Sequence, residues 1–443
     1  MKESGSAILC VSLPRTATGI GMSTDQPHRA TFWQRVLLVC LSPVIFLAVS
    51  EIALRMGSAD TDLSRNENFE IAVPTWLLAD DNWVDIQRER LESPRGVRAE
   101  DVSWLNFFEE ARWIQYKLKP GLSAHANNPF NDIELAKNVT FGLRSNSSGF
   151  RTREFHARTP DLNRIVTLGD SSTFGWGVDA HYTYQALLES RLRADGEATE
   201  ILNLGIPGFT SRHGRGVMDH YGLALDPDLF ILSFGANDGR YVLRPIDDVL
   251  ALDDTWRGTA RAVLLRFASF RLLRRAIFTW FDPFERSREN AADGSPRQLV
   301  RAVSRDAYIE NLRTLIAQAR SNGGDAALLS VCAPQEYANA MREVAQSEDV
   351  PMVDALELFR ASLDDLRSHR LYPHEVSFYE DLYGLEAMEA NWRYYVTTDG
   401  CHPGRAGHSL IADALADAIG RARNLRIDQA LLSLATGRDR THR

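Results

Sequence analysis

Apolar and polar positions alternate in three different ways along this chain. Near its start, residues 36–50 read V-L-L-V-C-L-S-P-V-I-F-L-A-V-S without a charge, and apolar character resumes beyond Glu51 with Ile52, Ala53 and Leu54. The 19 residues from Val36 to Leu54 make about 28 Å of helix, close to the thickness of a hydrocarbon layer. Pro43 permits a kinked span. Arg15, Arg29 and Arg35 precede the run, while Arg55, Asp60 and Asp62 follow it. The positive-inside tendency therefore predicts a cytoplasmic start and an extracytoplasmic bulk, periplasmic or extracellular. A cleaved signal peptide and a buried helix are the alternatives. The length and late start of the run favour a retained anchor over 32–55, after a polar tail at 1–31.

Residues 56–160 set aromatics in a polar background, with Trp76, Trp83, Trp104, Phe107, Phe108 and Trp113. They are read as a membrane-proximal arm that packs on the main domain. Its last part, A-K-N-V-T-F-G-L-R-S-N-S-S-G-F-R, mixes short apolar stretches with turn formers and predicts extended chain with a Ser-Gly turn.

From residue 164 short apolar runs alternate with helical periodicity. Strands are predicted at 164–169, 201–205, 228–235, 326–331 and 351–354, and helices at 181–192, 213–223, 306–320, 336–346 and 405–421. Short strands separated by longer helices imply a mostly parallel sheet covered on both faces. This main domain spans 161–426, with a C-terminal tail at 427–443. An insertion at about 240–305 divides it. Within the insertion, residues 260–281 interleave Arg261, Arg266, Arg271, Arg274 and Arg275 with apolar residues. As a helix this segment is basic and amphipathic. A bilayer-surface helix, a lid and an ordinary packed helix all remain open readings. Residues 285–297 are charged and turn-rich and predict a loop.

Composition narrows the classes. A formal net charge of −9 argues against a nucleic-acid partner, which rewards a basic surface. The four cysteines, Cys10, Cys40, Cys332 and Cys401, form neither a disulfide framework nor a zinc spacing. Separate thiols are the plainer expectation, although Cys332 and Cys401 can pair if the domain is extracytoplasmic. Neither a metal nor an organic cofactor is expected. G-x-G-x-x-G and the phosphate-loop pattern are both missing, which leaves nucleotide binding unsupported. The oligomeric state is not legible.

The chemistry concentrates where strands end. Ser171 follows I-V-T-L-G-D, and a serine hydroxyl becomes a good nucleophile only when a base takes its proton. As a helix cap Ser171 has a purely structural alternative. His402 and Asp399, in D-G-C-H, offer that base and the acid that orients it. Asp170 is the rival acid, but it adjoins the serine and is read as holding the turn. His408 is read as structural. Gly205 in N-L-G and Asn237 in G-A-N-D each end a strand. With the Ser171 N–H they are candidate donors to a developing oxyanion.

Taken together, G-D-S at 169–171, N-L-G at 203–205, G-A-N-D at 235–238 and D-G-C-H at 399–402 resemble the SGNH hydrolase superfamily, the GDSL-type esterases, of a membrane-anchored bacterial kind. The usual leucine after the serine is here Ser172. The resemblance covers about 161–239 and 306–422. It implies a three-layer α/β/α sandwich of flavodoxin type with about five parallel strands. It implies Ser171 as nucleophile, His402 as base and Asp399 as the third triad member, with Ser171, Gly205 and Asn237 forming the oxyanion hole. The expected activity is cleavage of a carboxylic ester of a small molecule, lipid or glycan. An O-acyltransferase for envelope polysaccharides using the same residues, and a non-catalytic binding or scaffold protein, are the alternatives.

Overall fold

The computed structural model describes residues 107–128, 139–242, 245–251, 255–264 and 300–438, with short pieces between 41 and 53 and between 267 and 273. The chain divides into two units, Met1–Ala59 and Asp60–Arg443. In the first, the described residues between 41 and 53 are helical, and Leu41, Ile45, Phe46, Val49 and Ile52 are exposed. The tail at 1–31, the rest of the expected span over 36–54 and the arm up to residue 106 lie outside the described residues. No helix among the described residues is long and apolar enough to cross a membrane.

In the second unit the described part of the arm contains two antiparallel strand pairs. Strand β1 (Phe108–Ala111) pairs with β2 (Gln115–Leu118), and β3 (Ser123–Asn127) pairs with β4 (Thr140–Arg144). Five further strands form one parallel sheet: β5 (Asn163–Gly169), β6 (Thr199–Asn203), β7 (Leu229–Ser233), β10 (Asp325–Ser330) and β11 (Met352–Asp354). Their spatial order is β11-β10-β7-β5-β6. The expected strands are all present, and the sheet is parallel throughout.

Side-chain alternation explains why these strands read as continuous apolar runs. Val166, Leu168, Leu202, Phe230, Leu232 and Leu328 enter one core, while Ile165, Ile201, Ile231, Ala327 and Leu329 enter another. Successive residues of a strand point to opposite faces, so each strand must be apolar on both. Among the helices, in chain order, are α1 (Ser171–Phe174), α2 (Tyr184–Ala194), α3 (Ser211–Val217), α4 (Arg305–Ser321), α5 (Gln335–Glu348), α6 (Ala355–Ala361), α7 (Pro373–Tyr383) and α8 (Arg405–Arg438). Helices α4 and α5 line the first core with Leu312, Leu315, Ile316, Met341 and Val344. Helices α2 and α8 line the second with Leu188, Leu192, Ile411 and Leu415. The arm joins the first core through Phe108, Tyr116, Leu118, Phe141 and Leu143.

Helix starts follow capping chemistry. Ser304 accepts from Ala307 N at 3.3 Å, and Asp354 accepts from Leu356 N at 3.1 Å. Helix α8 was expected to end near residue 421 and instead continues to Arg438. No proline interrupts that stretch, and its alanines, leucines and arginines favour helix.

Strand β8 (Tyr241–Val242) pairs antiparallel with β9 (Val300–Arg301) and closes the neck of the insertion. Inside it lie helices Ile246–Leu250 and Trp256–Leu264. Residues 274–299, including the expected loop and the end of the basic segment, lie outside the described residues. The separate thiols expected for Cys332 and Cys401 are corrected: the two form a disulfide with Cα atoms 5.4 Å apart across 69 residues. Cys332 follows β10 and Cys401 precedes α8, and the parallel sheet gathers both segments at one edge. Cys10 and Cys40 lie outside the described residues.

Candidate active site

Parallel strands present all their carboxyl ends at one edge, and a crevice opens where successive connections leave toward opposite faces. In this sheet the order reverses between β5 and β7. Ser171 follows β5, Asn237 follows β7, the Gly205–Gly208 loop follows β6, and Asp399 and His402 lie just before α8.

Ser171 opens α1, and Asp170 caps that helix by accepting from Ser172 N at 2.9 Å. The Ser171 hydroxyl lies 2.9 Å from His402 Nε2, and His402 Nδ1 lies 2.6 Å from Asp399 Oδ2. A carboxylate only accepts, so Nδ1 carries the proton toward Asp399 and Nε2 is free to accept from the serine. Both Ser171 and His402 are buried. Asp399 Oδ1 accepts from Cys401 N at 3.1 Å and His402 N at 2.9 Å, and Oδ2 also accepts from Asn128 Nδ2 at 2.7 Å. Burial by itself raises the Asp399 carboxyl. The charge of His402 and the hydrogen bonds from His402 and Asn128 outweigh it, leaving the group below its ordinary value and ionised.

The loop carrying this pair is closed on itself. Thr398 N donates to His402 O at 2.7 Å, and Gly404 N donates to Val396 O at 2.8 Å. The Tyr383 hydroxyl donates to Thr398 O. Cys401, between the acid and the base, ties the loop to the end of β10.

The expected oxyanion donors fare differently. Gly205 N donates to Asn203 Oδ1 at 2.9 Å, within its own turn. A Cβ at Gly205 would come within 2.7 Å of Phe174 N, so this glycine is required for close packing of the loop on α1. Gly208, three residues on, has φ +82°, a conformation that favours glycine, and its N–H finds no acceptor among the described residues. The Ser171 N–H likewise donates to none of the described residues. Asn237 Nδ2 reaches Phe209 O at 3.1 Å and Asp170 Oδ2 at 3.4 Å, so its amide lies beside both the Gly208–Phe209 turn and α1. The sequence alone did not single out Gly208; the Pro-Gly pair of I-P-G-F was its only signal.

Three other buried groups hold the surroundings. Burial pushes Asp170 up to about 7 and Asp238 up to about 6. Asp238 ties α3 to the β7 loop, accepting from Ser211 N at 2.9 Å and Gly235 N at 3.0 Å. His408 Nδ1 accepts from Tyr184 N at 3.2 Å, which fastens α8 to α2. Burial holds His408 down to about 3. Among the described residues no group of His, Cys, Asp and Glu side chains is arranged to hold a metal ion.

The arm supplies contacts that sequence reasoning did not anticipate. Buried Arg151 donates to Phe174 O at 3.0 Å, Gly175 O at 2.6 Å, Gly142 O at 2.8 Å and Val178 O at 2.8 Å, clamping the end of α1. The Tyr116 hydroxyl donates to Pro207 O at 2.6 Å, beneath the Gly208 turn. Nothing local in the sequence marked these residues, because each acts on a segment distant along the chain.

Fold and site together define a class: a parallel α/β domain with serine, histidine and aspartate aligned at its carboxyl edge. Residues 167–410 match the GDSL-like Lipase/Acylhydrolase family, and the chain belongs to that family of ester-hydrolysing enzymes. No curated protein matches it significantly. Solved structures similar to it include a lipase/acylhydrolase from Enterococcus faecalis, at 19% identity, 58% of this chain, 96% of that chain and a TM-score of 0.33. TesA aligns at 17% identity over 59% of this chain and 99% of its own, with a TM-score of 0.34. Axe2, an acetylxylan esterase from Geobacillus stearothermophilus, aligns at 17% over 58% and 94%, with a TM-score of 0.34. At these identities and scores they carry no argument about substrate.

Proposed function

We propose that the chain cleaves carboxylic esters through Ser171, with His402 as general base and Asp399 orienting it. The observation that supports this most is the continuous contact from Ser171 Oγ through His402 to Asp399, at 2.9 and 2.6 Å. Ser171 Oγ attacks the ester carbonyl as its proton passes to His402 Nε2. The carbonyl oxygen becomes an oxyanion that receives hydrogen bonds from the Ser171 N–H and the Gly208 N–H, and from the Asn237 amide as it exchanges its long 3.4 Å contact with Asp170 Oδ2 for the oxyanion. Gly208 takes the role first expected of Gly205, because the Gly205 N–H is already engaged by Asn203. Collapse expels the alcohol, which takes the proton from His402, and leaves an acyl-enzyme. Water then repeats the sequence and releases the acid.

The substrate class we infer is an acetyl or acyl ester of a glycan or lipid, met outside the cytoplasm by a chain anchored through residues 32–55. The Cys332–Cys401 disulfide supports an oxidising compartment. Transfer to a sugar hydroxyl proceeds through the same acyl-enzyme. The test is turnover of p-nitrophenyl acetate by wild type and S171A, with and without xylo- and chito-oligosaccharides. Acetate release lost in S171A supports hydrolysis, and acetylated sugar in place of acetate supports transfer. Turnover unchanged in S171A excludes both.

A further inference from the structure

The family motifs account for Ser171, Asp399 and His402, but the acid has a partner from outside them. Asn128 lies just past β3, 271 positions before Asp399, and its Nδ2 donates to Asp399 Oδ2 at 2.7 Å. That same oxygen faces His402 Nδ1 at 2.6 Å. Asp399 Oδ1 is already held by two N–H groups of its own loop. The donor from the arm is therefore what fixes the second oxygen, and with it the plane in which the imidazole is held.

We propose that Asn128 is a positioning residue for the reaction, an arm asparagine that holds the Asp399 carboxylate in the rotamer that orients His402. The proposal rests on the Ser171–His402–Asp399 reading given above. Three observations carry it beyond the contact itself. Asn128 is only 4% exposed, so its hydrogen bond does not compete with bulk water. The hairpin that carries it is docked on the nucleophile side of the site: Gly142 N donates to Asp179 Oδ1 at 2.7 Å, Arg151 bonds Gly142 O, and Phe141 packs against Trp176. Asn128 also borders a cavity lined by Asp179, Tyr379, Tyr383, Thr398 and Arg405, which Asp399 itself does not reach. Without the amide, that cavity would open onto the carboxylate. A neutral donor suits this position, because a lysine or arginine would neutralise the charge that stabilises the protonated imidazole.

The test uses the full chain and p-nitrophenyl acetate, with kcat and KM measured against pH for wild type, N128L, N128D and S171A. N128L removes the donor at similar size. It should lower kcat about tenfold and leave KM within about twofold, the loss expected for one hydrogen bond to a charged group. N128D is isosteric, and it sets a second carboxyl against Asp399. Carboxyls this close share one proton. While protonated, the introduced carboxyl donates as the amide did; once ionised it repels Asp399. Its kcat/KM should therefore turn down on the alkaline side where wild type does not. The charged and titratable groups around the pair, namely His402, His408, Asp170, Arg393, Arg405, Asp179, Tyr379 and Tyr383, are common to all variants. A change of profile thus belongs to position 128. A wild-type-shaped profile in N128D, or a kcat for N128L within about twofold of wild type, overturns the proposal. Should N128L not fold, N128D carries the test alone. Turnover retained by S171A would instead remove the triad reading, and the proposal with it.

Discussion

Replacing Cys332 and Cys401 together by serine separates what the disulfide does for the fold from what it does for the site. The bond closes a loop of 69 residues. Freeing a loop of that length raises the entropy of the unfolded chain enough to cost about 4 kcal/mol. For a domain of this size that lowers Tm by roughly 6 °C. Catalysis should suffer much less. The loop keeps its own hydrogen bonds: Asp399 Oδ1 still accepts from Cys401 N and His402 N, and Thr398 N still donates to His402 O. The double variant at 25 °C should therefore retain kcat to within about tenfold while melting far earlier. Calorimetry with and without reductant reads the first effect, and ester turnover the second. Thiol titration of the denatured, unreduced protein should find two of the four cysteines reactive. Four reactive thiols, or a melting point within about 2 °C of wild type, would refute the reasoning.

Asp399→Asn should lower kcat about a thousandfold, because an amide that turns its NH2 toward His402 reverses the tautomer and sets Nε2–H against Ser171; a near-normal rate would assign the supporting acid elsewhere. Arg151→Met removes the donor to four carbonyls, those of Phe174 and Gly175 at the end of α1, of Gly142 in β4 and of Val178, and should cost roughly 3 kcal/mol in urea unfolding; a loss below about 1 kcal/mol would show the clamp to be dispensable. Burial raises Asp170 to about 7, so between about pH 4 and 7 the folded chain keeps a proton that the unfolded chain has released. Stability contributed at this position therefore falls as pH rises through that window. The unfolding free energy of wild type minus that of D170N should decline from pH 4 to 7, and a flat difference would contradict the assignment.

The parallel sheet was legible because each strand is a contiguous apolar run, buried on both faces and bounded by turn residues. The Ser171, Asp399 and His402 segments, which the structure brings together, stood out in the sequence as short motifs at strand or helix boundaries. What escaped the sequence depends on contacts between distant segments. Asn128, Tyr116 and Arg151 act on loops that follow them by tens to hundreds of positions, and no local pattern records that. Gly205 and Gly208 look alike in N-L-G-I-P-G. Only the backbone separates the one that packs on α1 from the one whose N–H remains available. The pairing of Cys332 with Cys401 follows from strands sharing one carboxyl edge, which linear spacing does not reveal.

The most direct test of the account is labelling with a serine-directed phosphonate, comparing wild type with S171A and mapping the modified peptide. The account predicts a stoichiometric adduct on Ser171 in wild type and none in the folded variant. Labelling of another serine, or equal labelling of S171A, would contradict it.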